Sequence, residues 1–324
     1  MKIIHGTDEI RAPLENAVVA IGNFDGVHLG HQAILGHVLK KAHEIKGTSV
    51  AVTFDPHPVK VLGNNGSPPL ITVLEQKIEL IEQLGFDVLI CIRFDRLFAE
   101  LTAEQFLDNI LVGKIGMKAI VIGKDYTFGK NRKGNVDFLR AHAKKYGFEV
   151  IVPDWVPVLP GSSERVSSTR IREIIESGRV ADAKPLLGRY YQLRGEVCKG
   201  RDRGGRKLGF PTANIKIQDE LCPKTGVYAV TVETIPGFYK GVANIGYSPT
   251  FEDHIFTVEV HLLDFSGDLY GEKIRVNFIE RIRDEEKFNS IDELTEQIKL
   301  DIRAARRILA KAYPDNYSQN KKEL

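Results

Sequence analysis

From Val18 to about Ile151, short β-branched runs alternate with longer segments of helical period. That alternation builds parallel sheets from βαβ units and leaves few other folds open. The runs Val18–Ile21, Val50–Phe54, Val88–Ile92, Ala119–Ile122 and Phe148–Val152 are the expected strands. Segments 32–45, 73–84, 104–111 and 136–146 space their apolar residues three and four apart, as helices covering a sheet do. This half reads as an open, doubly wound, Rossmann-like α/β domain, whose ligands bind beyond the carboxyl ends of the strands where strand order reverses. Two short helices, the first after the hydroxyls of Ser167-Ser168-Thr169 and the second over Val180–Leu187, close it.

After Pro185 the texture changes to short alternating runs, Tyr191–Val197, Val227–Glu233, Phe256–Leu262 and Ile274–Phe278, separated by Gly, Pro and Asp. That pattern predicts a small antiparallel β-barrel. An amphipathic helix over 291–310, with Ile291, Leu294, Ile298, Ile302 and Ala305 on one face, is expected to pack against it. The expected organisation is residues 1–183, 184–312 and a polar tail, 313–324. A length of 324 residues suits two domains.

Balanced charge, Lys plus Arg 45 against Asp plus Glu 43, supplies no field for recruiting nucleic acid or an anionic membrane. Any phosphate must therefore be bound locally. The scattered cysteines Cys91, Cys198 and Cys222 form no disulfide framework, and no apolar run reaches membrane-spanning length. A cytoplasmic enzyme of small molecules, monomeric by default, is the expectation.

Four clusters follow the strand ends of the first half. Gly22-Asn23-Phe24-Asp25-Gly26-Val27-His28-Leu29-Gly30-His31 runs from the first strand into a helix, so amides, a helix dipole and two imidazoles three apart converge on one turn. Donors placed there stabilise charge growing on a transferred phosphate. An isolated HxxH is by itself an ordinary polar pair, or an incomplete zinc site. Phe54-Asp55-Pro56-His57-Pro58 is a proline-bracketed turn presenting a ring and an imidazole. The segment Gly123 to Lys130 contains Asp125 and Phe128 but lacks P-loop spacing. Ser167, Thr169 and Arg172 open a second helix with groups suited to β and γ phosphates.

In the second half, Gly204-Gly205-Arg206-Lys207-Leu208-Gly209-Phe210-Pro211-Thr212-Ala213-Asn214 joins a basic glycine loop to neutral oxygen donors suited to Mg²⁺. Val258-Glu259-Val260-His261 puts Glu259 and His261 on one strand face. A lone strand carboxylate is ordinarily solvated; a base for an alcohol is the sharper reading.

Together, GxFDGxHxGH, FxPHP, GxDxxFG, SSTxIR, GFPTAN and the downstream glutamate resemble the bacterial bifunctional riboflavin kinase/FAD synthetase family over residues 18–310. The resemblance implies that the barrel phosphorylates riboflavin to FMN, with Glu259 as base and Thr212 and Asn214 at Mg²⁺. Gly204, Gly209, Phe210 and Pro211 would then hold ATP. It implies that the first domain adenylylates FMN to FAD with release of pyrophosphate. There Gly22, Asn23, Asp25, His28 and His31 line ATP, joined by Ser167, Thr169 and Arg172. Phe54, Pro56, His57, Pro58, Asp125 and Phe128 lie near flavin or nucleotide, and Arg283 with Phe288 forms a flavin-side flap in the barrel domain. Tyr126 stands where the family more often has phenylalanine, and the loop from Gly200 to Gly209 is one residue longer than the family pattern. Retention of only one activity, or flavin sensing without turnover, are the alternatives.

Overall fold

The computed structural model describes residues 1–63, 68–198, 209–217, 219–247 and 256–313. The chain divides into two compact units, Met1–Ser168 and Thr169–Leu324.

In the first unit the strands are β1 (Lys2–His5), β2 (Ala17–Ile21), β3 (Ser49–Asp55), β4 (Val88–Arg93), β5 (Met117–Val121) and β6 (Glu149–Ile151). They pair in parallel in the order β1-β4-β3-β2-β5-β6. The helices are α1 (Leu29–Glu44), α2 (Pro58–Leu62), α3 (Leu74–Gln83), α4 (Arg96–Ala99), α5 (Ala103–Gln105) and α6 (Val136–Tyr146). Alternate residues of one strand enter different cores. Val19, Ile21, Val50 and Val52 pack with Leu107, Leu111 and Leu139, whereas Val18, Ala20 and Ala51 pack with Leu35, Val38 and Ile81. Both sheet faces are thus covered, which is why these strands read as continuous apolar runs. Successive strands run outward from β2 to β3 and β4, while β5 lies on β2's other side, so β2 and β5 flank the topological switch.

Two details differ from the sequence reading. The edge strand β1 lies in a segment too polar to be recognised; only Ile4 is buried, and parallel pairing to β4 supplies the rest. The expected helix over 104–111 is instead a single turn, α5, capped by a Thr102–Gln105 box, and then a π-helical segment, Phe106–Lys114.

The second unit contains α7 (Ser168–Glu176, its first residue belonging to the first unit), α8 (Val180–Leu187) and the strands β7 (Tyr191–Cys198), β8 (Ala213–Lys216), β9 (Gly226–Glu233), β10 (Phe238–Tyr247), β11 (Phe256–Leu262) and β12 (Lys273–Arg283). The strands close as an antiparallel barrel, β10-β11-β8-β7-β12-β9, with β9 returning to β10. Sequence patterning missed β8, which is too short to show a period, and β10, whose alternation is broken by Gly241 and Gly246.

Helix α9 (Ile291–Ala312) packs Ala305 and Leu309 against Ala229 and Ile279 of the barrel. Of the expected stripe, Ala305 is buried and Leu294, Ile298 and Ile302 are half-buried, but two positions depart from it. Ile291 is 68% exposed, and Asp301 occupies an inward position. Burial of that carboxylate is compensated by a fork from Arg283, whose Nε and Nη2 donate to Asp301 at 2.9 and 2.8 Å, with Gln297 donating at 2.9 Å.

Candidate active sites

The turn after β2 is fixed from beneath. Asp25, expected along the phosphates, is 2% exposed, and its carboxylate accepts from the amides of Ile71 and Thr72 at 3.2 and 3.0 Å. Gly26 N–H donates to Thr72 Oγ1 at 2.9 Å, and Ser168 Oγ donates to the Asp25 carbonyl at 2.9 Å. Phe24 and Val27 both have positive φ, 45° and 37°. For the β-branched Val27 this conformation is costly, and such strain persists where surrounding contacts over-determine the chain. Nothing in the sequence pattern announces it.

His28 is the N-cap of α1, and its Nδ1 accepts the His31 amide at 3.2 Å. A neutral His28 bonded this way carries its proton on Nε2. The two imidazoles are stacked, 3.6 Å between centroids and 17° from parallel, with Phe24 edge-on to His31 at 5.5 Å. Burial, His28 and Lys77 together hold His31 well below the usual histidine range. Its buried Nδ1 has no hydrogen-bond partner among the described residues, as befits a group whose partner is a ligand or a water. Gly30 permits the stack: a Cβ there would lie 3.1 Å from the His28 ring and 3.3 Å from the Val166 carbonyl.

At the neighbouring strand ends, Phe54 packs against Phe94 and Phe98 at 5.6 and 5.9 Å, forming a half-buried aromatic wall. Pro56 and Pro58 are half-buried beside it, and His57 caps α2 by accepting the Val59 amide. Asp125, after β5, pairs with Arg165 at 2.8 Å, and the guanidinium stacks 4.0 Å from the Trp155 ring. Phe128, expected beside flavin, is buried among Phe106, Tyr126 and Phe138, so its ring serves the core. Gly22 and Asn23 lead into the turn, and Ser167 is half-buried ahead of α7. Thr169 and Arg172 stand on α7 beyond the division at Ser168.

The barrel presents a different construction. Glu259 on β11 is paired in register with Asn214 of β8 on one side and Asn244 of β10 on the other. Directly paired residues share a sheet face. The flanking Ala213, Ile215, Ala243, Ile245, Val258 and Val260 are buried, so the three polar side chains form an outward row. Burial pushes the Glu259 carboxyl above its ordinary range. His261, next on that face, lies 2.8 Å through Nδ1 from the Pro211 carbonyl, so that nitrogen donates; Phe210 meets the same ring edge-on at 5.8 Å. His261 therefore clips down the segment that leads through the half-buried Thr212 to Asn214. Gly209 is exposed with a φ of 81°. Gly204 and the rest of 200–208 lie outside the described residues, as do residues 248–255.

Arg283 does not offer its guanidinium to a ligand in this arrangement. Beyond the Asp301 fork, Nη1 donates to the Asp284 carbonyl at 2.9 Å, and Phe288 packs 5.7 Å from Cζ. Sequence reasoning gave Asn244 no site role and missed Lys77. Register alone brings Asn244 beside Glu259; a lysine within an amphipathic helix gives no sign of being buried.

Among the described residues no group of three or more His, Cys, Asp or Glu could hold a metal, and no helix is long and apolar enough to cross a membrane. A family model described as FAD synthetase matches residues 10–170, and one described as riboflavin kinase matches residues 187–309. The bifunctional riboflavin kinase/FMN adenylyltransferase of Bacillus subtilis (strain 168) is 42% identical over 311 residues, covering 93% of this chain and 96% of that protein. The protein of the same description from Escherichia coli (strain K12) is 37% identical over 320 residues, covering 97% and 100%. A crystal structure described as a macrolide-efflux protein from Streptococcus pneumoniae superposes with a TM-score of 0.83 at 33% identity, covering 94% of this chain and 99% of that one.

Proposed function

The chain belongs to the family of bifunctional riboflavin kinase/FMN adenylyltransferases, and on that premise we propose how its two sites divide the work between FMN and FAD formation. What carries the proposal is that each unit gathers its own polar cluster, the stacked His28–His31 pair in one and the Asn214–Glu259–Asn244 row in the other. The proposed domains are residues 1–183, 184–312 and 313–324, a boundary later in the chain than the division of the compact units at Ser168.

In FAD formation an FMN phosphate oxygen attacks the α-phosphorus of ATP and pyrophosphate leaves. His28, with Nδ1 occupied, donates from Nε2 to the oxygens on which charge grows; His31 lies against it in the stack. No covalent intermediate is required. The α1 N-terminus adds to the same field. Asp25 contributes by holding the turn, since a carboxylate against phosphate would repel it. Ser167, Thr169 and Arg172 serve the outer phosphates. Phe54, Pro56, His57 and Pro58 border the flavin ring, with Asp125 toward the nucleotide.

In FMN formation Glu259 takes the proton of the riboflavin 5′-hydroxyl, whose oxygen attacks the γ-phosphorus of ATP as ADP leaves. A raised carboxyl is a better-matched base near neutral pH. The Thr212 hydroxyl and Asn214 carboxamide are neutral oxygens, and the Asn214 side chain has no hydrogen bond among the described residues. This donor set fits Mg²⁺ that is held mainly by nucleotide phosphates and water. When bound, the ion would neutralise phosphate charge. Gly204, Gly209, Phe210 and Pro211 form the nucleotide loop. Arg283 acts on flavin through the flap it anchors rather than by contact. The substrates are small molecules, and a cytoplasmic monomer with no nucleic-acid or membrane partner completes the proposal.

Purified protein given riboflavin, ATP and Mg²⁺ is expected to accumulate FMN and then FAD. Failure to make FAD from supplied FMN would refute the role of the first unit.

A further inference from the structure

Lys77 is a buried cation with no part in the chemistry above. It stands on α3 at 5% exposure, and lysine is rarely buried unless paired. Among the described residues it forms no contact ion pair. Its ammonium instead donates to Thr53 Oγ1 at 3.4 Å, and that hydroxyl donates onward to the Asn23 carbonyl at 3.3 Å. A chain of two hydrogen bonds thus runs from the cation through β3 into the phosphate turn. The charge also reaches His31, where it acts in the same direction as burial and His28.

We propose that Lys77 is a positioning residue for adenylyl transfer, which fixes the turn through Thr53 and Asn23 and acts by its charge on His31. The proposal rests on the adenylyl-transfer reading of that turn. A neutral His31 leaves the stack free of charge repulsion between the rings and keeps its unprotonated nitrogen available to a ligand or water donor. The buried cation adds a positive potential that low-dielectric surroundings transmit with little screening, and incoming phosphates would add to the counter-charge of Asp25 and Asp55.

The groups that bear on this pair come from several elements. His28 lies at the start of α1, Asp25 in the turn, Asp55 at the end of β3 and Cys91 on β4. Asp25, Cys91 and Asp55 favour the charged form of Lys77, while burial opposes it and lowers its proton affinity. The Cys91 thiol is itself pushed up to about 11, mainly by burial, and is neutral at working pH.

The test is the imidazole titration of His31, followed by NMR in the full chain without nucleotide, for wild type, Lys77→Met and Thr53→Val. In wild type His31 is expected to remain neutral through pH 6. In Lys77→Met its midpoint should rise by about one pH unit, because a like charge has been removed. The acid limb of FAD formation from supplied FMN should move up with it, while FMN formation is unchanged. Thr53→Val keeps the charge, so it should lower FAD formation about tenfold through the turn and leave the His31 midpoint in place. Where Lys77→Met loses the native His28 resonance, Lys77→Gln replaces it in the same measurement. An unmoved His31 midpoint in the folded neutral variant, or a moved midpoint with an unmoved acid limb, overturns the proposal. Absence of FAD in wild type would instead refute the adenylyl-transfer reading, with the His31 titration still deciding the electrostatic link.

Discussion

The two proposed sites are built by opposite means. At the turn after β2, nearly every polar group is engaged: Asp25 with Ile71 and Thr72, Gly26 with Thr72, and His28 with the His31 amide. Two non-glycine residues, Phe24 and Val27, are held at positive φ in this turn. On the barrel, Asn214, Glu259 and Asn244 stand on regular strands with unstrained backbone, aligned by register alone. The difference follows the reactions. Adenylyl transfer to an already ionised phosphate needs no base, so a rigid arrangement of donors suffices. Phosphorylating an alcohol needs a proton acceptor and charge neutralisation, so side chains must keep bonding capacity for substrate and metal.

The sharpest way to break this contrast is at Glu259. Glu259→Gln is expected to lower FMN formation about 10³-fold, the scale of lost base catalysis, and to leave FAD formation from supplied FMN intact. Steady-state assays of each half-reaction check it. His28→Ala should do the reverse, lowering FAD formation about 10²-fold by removing a placed donor. Equal loss of both activities in either variant would contradict independent sites.

Asp301→Ala probes the support rather than the chemistry. It leaves the Arg283 guanidinium, only 17% exposed along its side chain, without its fork, and is expected to cost about 3 kcal/mol in the second unit's urea transition. The first unit's transition should stay where it is. Gly30→Ala tests the rigidity of the turn. The new Cβ presses on a ring stacked at 3.6 Å and on a backbone carbonyl, neither free to retreat, so FAD formation should fall about tenfold.

The smallest effect expected is in the pH profile. As the proposed base, Glu259 would act only when ionised, and burial raises the pH at which it ionises. Activity in FMN formation is therefore lost as pH falls, and its acid limb in kcat/KM should lie above the ordinary carboxylate range of about 4.3. A limb at or below that range would deny Glu259 its role as a buried base.

How much of this was legible in the sequence depended on whether local pattern or distant partners decide the matter. The parallel sheet was readable because strands buried on both faces are apolar throughout, as in Val18–Ile21. The stacked histidines were foreseeable from their spacing at a helix start, and the shared face of Glu259 and His261 from strand alternation. The partners of Asp25 were hidden, because its carboxylate faces amides 46 and 47 residues away. Arg283 and Asp301 form a fork 18 residues apart, which no periodicity reveals. Phe128 sits in a motif at a strand end yet packs inward. Asn244 becomes relevant only when β10 pairs with β11.

Two independent sites joined by FMN can be tested most directly by mixing the two variants. Supplied with riboflavin, ATP and Mg²⁺, His28→Ala should stop at FMN, and Glu259→Gln should leave riboflavin unconverted. Together they should make FAD, because FMN released by one is adenylylated by the other. Accumulation of FMN without FAD in the mixture, with both proteins folded, would contradict that division of labour.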